Sequence, residues 1–307
     1  MSVDILMATY NGEKYLKNQL LSLQQQTYSD WKLWIRDDGS SDATILIIDE
    51  FVGKDSRINK VTEGSGKKLK AGKNFLGLTK LVGSKYAIFC DQDDIWFEKK
   101  LEILVNFAEK NFLENTPSLV FCDAFGYSDN DGVIISKKVW LWYAKSVKEF
   151  LFFNSGYQGC SILFNKKLNE LARNYKADYF YMHDDVVSLL AHVFGKVYFI
   201  KKQLMLYRQH DKNVTGNISV NFFSRLVLFF RRNGFVLSSV HFNERKAFFH
   251  AYESMMKNED RRLFCEYIKF GEVNFFKRIL ILLKNDFSLG GNRIPLYIKT
   301  ILRRPVE

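Results

Sequence analysis

Three carboxylates crowd the stretch Asp91-Gln92-Asp93-Asp94, directly after the apolar run Tyr86-Ala87-Ile88-Phe89-Cys90. Such a run, with aromatic and β-branched members, reads as a buried strand, which sets the acids at its C-terminal end. In an open α/β sheet that edge is where ligands bind. Clustered carboxylates repel one another unless they share a cation, and oxygen ligands at a strand tip suit Mg²⁺ or Mn²⁺ carrying a phosphate. The competing reading is a solvated acidic turn ahead of a helix that begins near Phe97.

Two earlier stations have the same construction. The strand-like Val3-Asp4-Ile5-Leu6-Met7-Ala8 breaks at Thr9-Tyr10-Asn11-Gly12 into a helical pattern of Tyr15, Leu16, Leu20 and Leu23. Residues 31–35 form a second strand-like run and end in Asp37-Asp38-Gly39-Ser40-Ser41-Asp42, before an apolar-periodic segment from Ile45 to Phe51. Strand and helix alternating at this spacing argue a right-handed, parallel, doubly wound sheet with all three polar clusters on one edge. The segment 38–42 also reads as a turn with a helix cap.

The chain resembles the inverting family 2 glycosyltransferases of GT-A fold. The matching stretches are Ala8-Thr9-Tyr10-Asn11-Gly12, Asp37-Asp38-Gly39-Ser40-Ser41-Asp42, Lys73-Asn74-Phe75, Asp91-Gln92-Asp93-Asp94-Ile95-Trp96, Met182-His183-Asp184 and Tyr207-Arg208-Gln209-His210-Asp211-Lys212-Asn213. Their order and spacing are most similar to the bacterial rhamnosyltransferase branch, which builds surface polysaccharides. The likeness covers residues 3 to 215, and the set is far more specific than any single motif.

The resemblance implies a nucleotide-diphospho-sugar transferase fold, a Rossmann-like mixed sheet flanked by helices with a helical C-terminal extension. It implies that Thr9, Tyr10 and Asn11 line the donor nucleotide, that Asp38 accepts a hydrogen bond from a uracil or thymine imide, and that Lys73 and Asn74 face the nucleotide. Asp93 becomes a metal ligand, with Asp91 and Gln92 on the donor and His210 adding a nitrogen ligand or a donor to the diphosphate. Asp184 aligns with the catalytic base, and the neighbouring Asp185 is the alternative base. As a structural reading, the same pair would merely supply favourable charge to a helix N-terminus. Trp96 and Gly159 fall on the acceptor side, where Trp96 alternatively plugs the core and the glycines of Gly156-Tyr157-Gln158-Gly159 alternatively permit a tight turn.

Charge is unevenly placed. Residues 201–307 carry 20 Lys and Arg against 9 Asp and Glu, whereas residues 1–200 carry 25 of each. The excess marks a change in kind near residue 215, giving a catalytic domain over 1–215 and a basic, mainly helical extension over 216–307. Two apolar segments edged with cations stand in that extension, 222–232 and 275–284. They suit an anionic membrane surface, or equally a neighbouring helix or a homodimer contact. No zinc finger, RRM or helix-turn-helix pattern accompanies the charge, so nucleic acid is not expected as a partner.

No run of eighteen apolar residues is present, and Asp4 interrupts any leader-like core, so the expected location is cytoplasmic, peripheral on the inner membrane face. The isolated Cys90, Cys122, Cys160 and Cys265 read as reduced thiols without zinc spacing. The resemblance implies a reaction that moves L-rhamnose from dTDP-rhamnose, or a hexose from a UDP-sugar, to a lipid-linked saccharide. Competing classes are a nucleotidyltransferase, for which Thr9-Tyr10-Asn11-Gly12 is a poor phosphate loop, and a non-catalytic nucleotide-binding scaffold, against which the acids at 38, 93 and 184 argue.

Overall fold

A computed structural model describes residues 2–62, 68–139, 143–210 and 234–307. The expected apolar segment 222–232, the boundary near Thr215 and the end of the 207–213 motif lie outside the described residues.

The first half is built as its pattern demands. β1 (Val3–Thr9), β2 (Trp31–Asp37), β3 (Ile58–Lys60) and β4 (Tyr86–Cys90) pair in parallel. They are joined by α1 (Leu16–Gln24), α2 (Thr44–Lys54) and α3 (Lys70–Leu78). Successive strand residues point to opposite faces, and where both faces are covered, as along β4, the strand reads as continuous apolar sequence. Val3, Ile5 and Met7 join one core with Ile88 and Cys90, while Leu6, Ala87 and Phe89 join the other.

Beyond β4 the sheet stops being parallel. β5 (Ile95–Trp96), β6 (Ser118–Ser128), β7 (Val133–Ser136), β8 (Ile162–Asn165) and β9 (Lys196–Gln209) complete the order β3-β2-β1-β4-β8-β6-β9-β5, with β7 against β6. β8 runs antiparallel to both β4 and β6, and β5 runs antiparallel to β9. The wholly parallel sheet argued from strand and helix alternation therefore holds only for its first four strands; the mixed sheet implied by the family resemblance is the one observed. The long β9, parallel to β6 with a register shift after Cys122, carries Arg208 back beside the acidic turn.

Helices α4 (Lys100–Asn111), α5 (Val147–Leu151), α6 (Lys166–Arg173) and α7 (His183–Phe194) cover the faces. The last described segment contributes a short parallel pair, β10 (Phe235–Leu237) with β11 (Arg304–Val306), and α8 (Ser239–Tyr252), α9 (Asn258–Glu272), α10 (Phe275–Asn285) and α11 (Ile294–Leu302). These helices share the core that lies on α7's side of the sheet, through Phe242, Phe248, Phe264, Tyr267 and Phe270. Phe152 meets Tyr267 and Phe270 edge-on at 5.3 and 5.1 Å.

The start of α7 is held by close backbone approach. A Cβ on Gly156 would lie 2.6 Å from the Asp185 nitrogen and 2.8 Å from the Asp184 carbonyl carbon, a gap only glycine leaves. Gly156→Ala is expected to destabilise the fold by about 1–3 kcal/mol, read as a lowered urea midpoint at unchanged slope. A wild-type midpoint would show that the loop moves aside freely.

Candidate active site

The loops after β1 and β2 are knitted together by side chains that accept from backbone N–H groups left over at the sheet edge. Thr9 Oγ1 donates to Asp37 Oδ1 at 2.8 Å, and Asp37 Oδ2 accepts from the Gly39 and Ser40 amides at 2.9 and 2.7 Å. Asn11, at a left-handed φ of 45°, accepts from the Ser41 amide at 2.8 Å and donates its own amide to Ser40 Oγ at 2.8 Å. Asp38 is nearly buried, and its oxygens accept from the Leu69 and Lys70 amides at 2.6 and 2.9 Å, fixing the entry to α3.

These contacts revise several sequence expectations. The Thr9 and Asn11 side chains frame the cleft from within. Asp38 anchors a loop, and a base imide would have to share oxygens already engaged. Asn74 is buried under β2, donating to the Arg36 carbonyl at 3.3 Å, while Lys73 on α3 and Tyr10 are exposed. Gln92 mimics a strand neighbour: its amide accepts from the Tyr10 nitrogen at 2.9 Å and donates to the Tyr10 carbonyl at 3.0 Å, leaving the Tyr10 ring open beside Lys68.

At the end of β4 the acids divide by environment. Asp93 Oδ2 lies 2.7 Å from His210 Nε2, both partly open to the cleft, and the His210 ring stacks on Tyr15 at 5.0 Å. Asp94 is fully buried, accepting from the Arg208 amide at 3.1 Å. Arg208 Nε donates to the Asp93 carbonyl at 2.6 Å, its guanidinium lies 4.7 Å over the Tyr15 ring, and it pairs with Asp129. The wholly buried Lys100 donates to the Cys160 carbonyl at 2.6 Å, with its ammonium 3.6 Å above Trp96. Burial, with Asp93 next, pushes Asp91 up to about 7.

A cation would therefore relieve an excess of negative charge that the surrounding basic residues leave in place. Ligand atoms of Asp91, Asp94 and Cys160 lie within 4.8 Å of one another. Burial, reinforced by Asp94, raises the Cys160 thiol well above its usual range, so it stands there as a neutral thiol and a poor ligand. Carboxylate oxygen suits Mg²⁺ or Mn²⁺, so Asp93 fits such an ion, and the His210 nitrogen beside it would serve the softer Mn²⁺ better than Mg²⁺.

A further acidic station stands at the start of α7. Burial, then Asp185 and then Asp91, raises the Asp184 carboxyl well above the carboxylate range, so its charge is coupled to that of the acidic turn. His183 is buried against Phe75, ring centroids 4.1 Å apart, and burial lowers it to about 3, leaving it neutral. Asp185 is turned into the interior, with its Oδ2 3.0 Å from His241 Nδ1. Trp96 and Gly159 are both packed inward. Trp96 is a core plug only 3% exposed, and the space above Gly159 is filled by His183 Nε2, 2.5 Å from where a Cβ would stand.

Arg208 lay inside a recognised motif with no role attached, whereas Lys100, Asp129, His241 and Arg245 carry no local signal, being joined to the site only by tertiary contacts.

A mixed sheet whose parallel half gathers acids at one edge, closed by a returning strand that brings an arginine and a histidine over them, defines a GT-A nucleotide-sugar transferase. The family model for glycosyl transferase family 2 matches residues 4–171, and the chain belongs to that family of enzymes. It is 34% identical over 229 residues to the dTDP-rhamnosyl transferase RfbG of Shigella flexneri, covering 69% of this chain and 75% of that one. A 109-residue match, 36% identical, reaches the UDP-Glc:alpha-D-GlcNAc-diphosphoundecaprenol beta-1,3-glucosyltransferase WfgD of Escherichia coli, covering 36% of this chain and 42% of that one. Among solved structures, S. aureus TarS 1–349 in complex with UDP-GlcNAc superposes with a TM-score of 0.55 at 14% identity, covering 98% of this chain and 90% of that one. The mannosyltransferase PcManGT from Pyrobaculum calidifontis, solved with GDP-Man and Mn²⁺, gives 0.51 at 12% identity over 97% of this chain and 86% of that one.

Because Asp91 holds its proton up to about pH 7, a divalent ion that favours the ionised form must expel it. Proton release on Mn²⁺ binding is expected to be near zero well above that pH and to grow as pH falls through it, with affinity falling in step. Calorimetry in buffers of different ionisation enthalpy measures this, and a buffer-independent heat at low pH would contradict it.

Proposed function

We propose that this enzyme is an inverting transferase that moves L-rhamnose from dTDP-rhamnose to a hydroxyl of a lipid-linked saccharide, with Asp184 as the base. The observation that carries the reading is the placement of Asp184 in the first turn of α7, where its carboxyl senses the charge of Asp91 at the end of β4. Direct displacement needs a proton acceptor on the face opposite the leaving group. Asp184 takes the acceptor O–H proton, the acceptor oxygen forms the new bond to the anomeric carbon, and the bond from that carbon to the phosphate oxygen breaks. Its electron pair leaves on the nucleoside diphosphate.

Asp93 and His210 would hold a divalent ion, Mg²⁺ or Mn²⁺, which supplies Lewis-acid stabilisation of the departing diphosphate. Tyr10 offers an open ring to the nucleotide base, and Lys68 and Lys73 offer charge near it. A raised Asp184 pKa makes its carboxylate a stronger proton acceptor than an ordinary surface one. The 34% identity to RfbG supports the dTDP-sugar. The shorter match to WfgD supports a UDP-hexose transferase as the second reading.

The exposed side of the C-terminal helices fits an anionic bilayer, where the lipid-linked acceptor would reside. Phe276, Leu280 and Leu283 form one stripe on α10, exposed by 78, 63 and 59%, edged by the exposed Lys277 and Lys284. α10 contains no acidic residue, so self-association through this stripe would oppose like charges, whereas each cation near anionic lipid gains about 1 kcal/mol. Among the described residues no helix is long and apolar enough to cross a membrane.

Asp184→Asn is expected to lower turnover by a factor on the order of 10²–10⁴, while calorimetric binding of dTDP with Mn²⁺ stays at the parent value. Unchanged turnover would exclude Asp184, and tighter binding of UDP than dTDP would select the second reading. Separately, the double variant Phe276→Glu, Leu280→Glu should abolish co-sedimentation with phosphatidylglycerol vesicles without changing turnover of a soluble acceptor. Undiminished sedimentation would rule out the stripe as the contact.

A further inference from the structure

Four charged or ionisable side chains meet in the interior where α8 crosses the first turn of α7. Asp185 Oδ2 lies 3.0 Å from His241 Nδ1, and Asp185 Oδ1 lies 3.8 Å from Arg245 Nη2. Glu244 Oε2 lies 3.2 Å from Arg245 Nη1, and Glu244 Oε1 accepts from the Tyr181 amide at 3.2 Å. Arg245 Nη2 also donates to the Phe153 carbonyl at 3.0 Å. All four residues are buried, Glu244 and Arg245 completely.

Three stretches at the start of α7 are thereby tied to one helix. Glu244 holds the approach at Tyr181, Arg245 holds the 153–157 loop whose Gly156 rests on the Asp184 and Asp185 backbone, and His241 with Arg245 holds Asp185 itself. The backbone amide of Asp185 donates in turn to Asp184 Oδ1 at 3.0 Å, so fixing residue 185 also fixes the carboxylate beside it. The N-terminus of α7 has no side-chain cap to do this locally.

We propose that Asp185, His241, Glu244 and Arg245 form a positioning unit for Asp184, so that the C-terminal segment completes the catalytic apparatus. This rests on the reading of Asp184 as the base. Two acidic side chains, Asp185 and Glu244, face the Arg245 guanidinium and the His241 ring, and burial, with Asp185 next, pushes Glu244 up to about 7. Burial works against the His241 proton, but Asp185 and Glu244 outweigh it and raise its pKa. Ligand atoms of Asp185, His241 and Glu244 also lie within 4.8 Å of one another, as a metal site would require, but the guanidinium already occupies the cationic role. Buried ion clusters contribute little net stability beside apolar packing of the same volume, so their effect is chiefly geometric. A small displacement of a reacting group is enough to slow catalysis a hundredfold.

The test compares Asp185→Asn, Arg245→Met and Arg245→Lys with Asp184→Asn in the full-length enzyme. Asp185→Asn and Arg245→Met should lower kcat per folded molecule on the order of tenfold to a hundredfold, with donor KM and dTDP affinity unchanged, and Arg245→Lys should recover most of the loss. A merely structural role predicts lost folded protein with normal kcat in the remainder, and that result overturns the proposal. So does stoichiometric zinc or another metal in the purified parent that is lost in His241→Gln, which would make the cluster a metal centre. If Asp184→Asn itself turns over normally, the base assignment fails instead, a distinguishable outcome.

Discussion

The repulsion among the carboxylates at the end of β4 is the constraint around which the cleft is organised. Asp91 and Asp94 are pressed into low-dielectric surroundings beside Asp93, so burial and mutual charge both favour protons over ionisation. The fold offsets part of that charge from several elements at once: Lys100 from α4, and Arg208 and His210 from the end of β9. It does not offset all of it, so Asp91 keeps its proton up to about pH 7, and a cation at this edge would relieve the same repulsion. A structure that neutralised the acids fully would be more stable and would have no affinity to spare for a metal or its phosphate.

The same logic explains why so many polar residues at the strand tips serve the protein itself. Each loop leaving a parallel strand presents unpaired amides, and Asp37, Asp38, Asn11 and Gln92 supply the acceptors. Rigid loops follow, and their rigidity leaves Tyr10, Asp93 and His210 facing open space.

The sequence made the strand tips and their acids legible because period-two apolar runs ending in polar clusters are local signals, and the motif order identified the family. Side-chain direction was not legible. Thr9, Asn11, Asp38, Trp96 and Gly159 sit in the recognised motifs, yet four of their side chains or contact faces are committed inward, and Asn11 is committed to its neighbouring loop. Adjacency in a motif fixes distance along the chain, whereas one residue's step along a helix turns the side chain by about 100°. That step separates Asp184, near the cleft, from Asp185, in the core. Lys100 was invisible for a different reason: nothing in the run Glu98-Lys99-Lys100-Leu101 distinguishes the lysine that is wholly buried from the exposed one before it.

Charge distribution misdirected the reading of the last third in an instructive way. An excess of lysine and arginine suggests a solvated or membrane-facing appendage, and the α10 stripe has that character. The average conceals two populations. Arg245 is a core residue whose charge is consumed by Asp185 and Glu244, while Lys277 and Lys284 lie on the surface beside exposed apolar side chains. The helices carrying both populations share a single apolar core with α7. An inward face that grips the start of α7 and an outward face of apolar and basic residues therefore belong to one packed body.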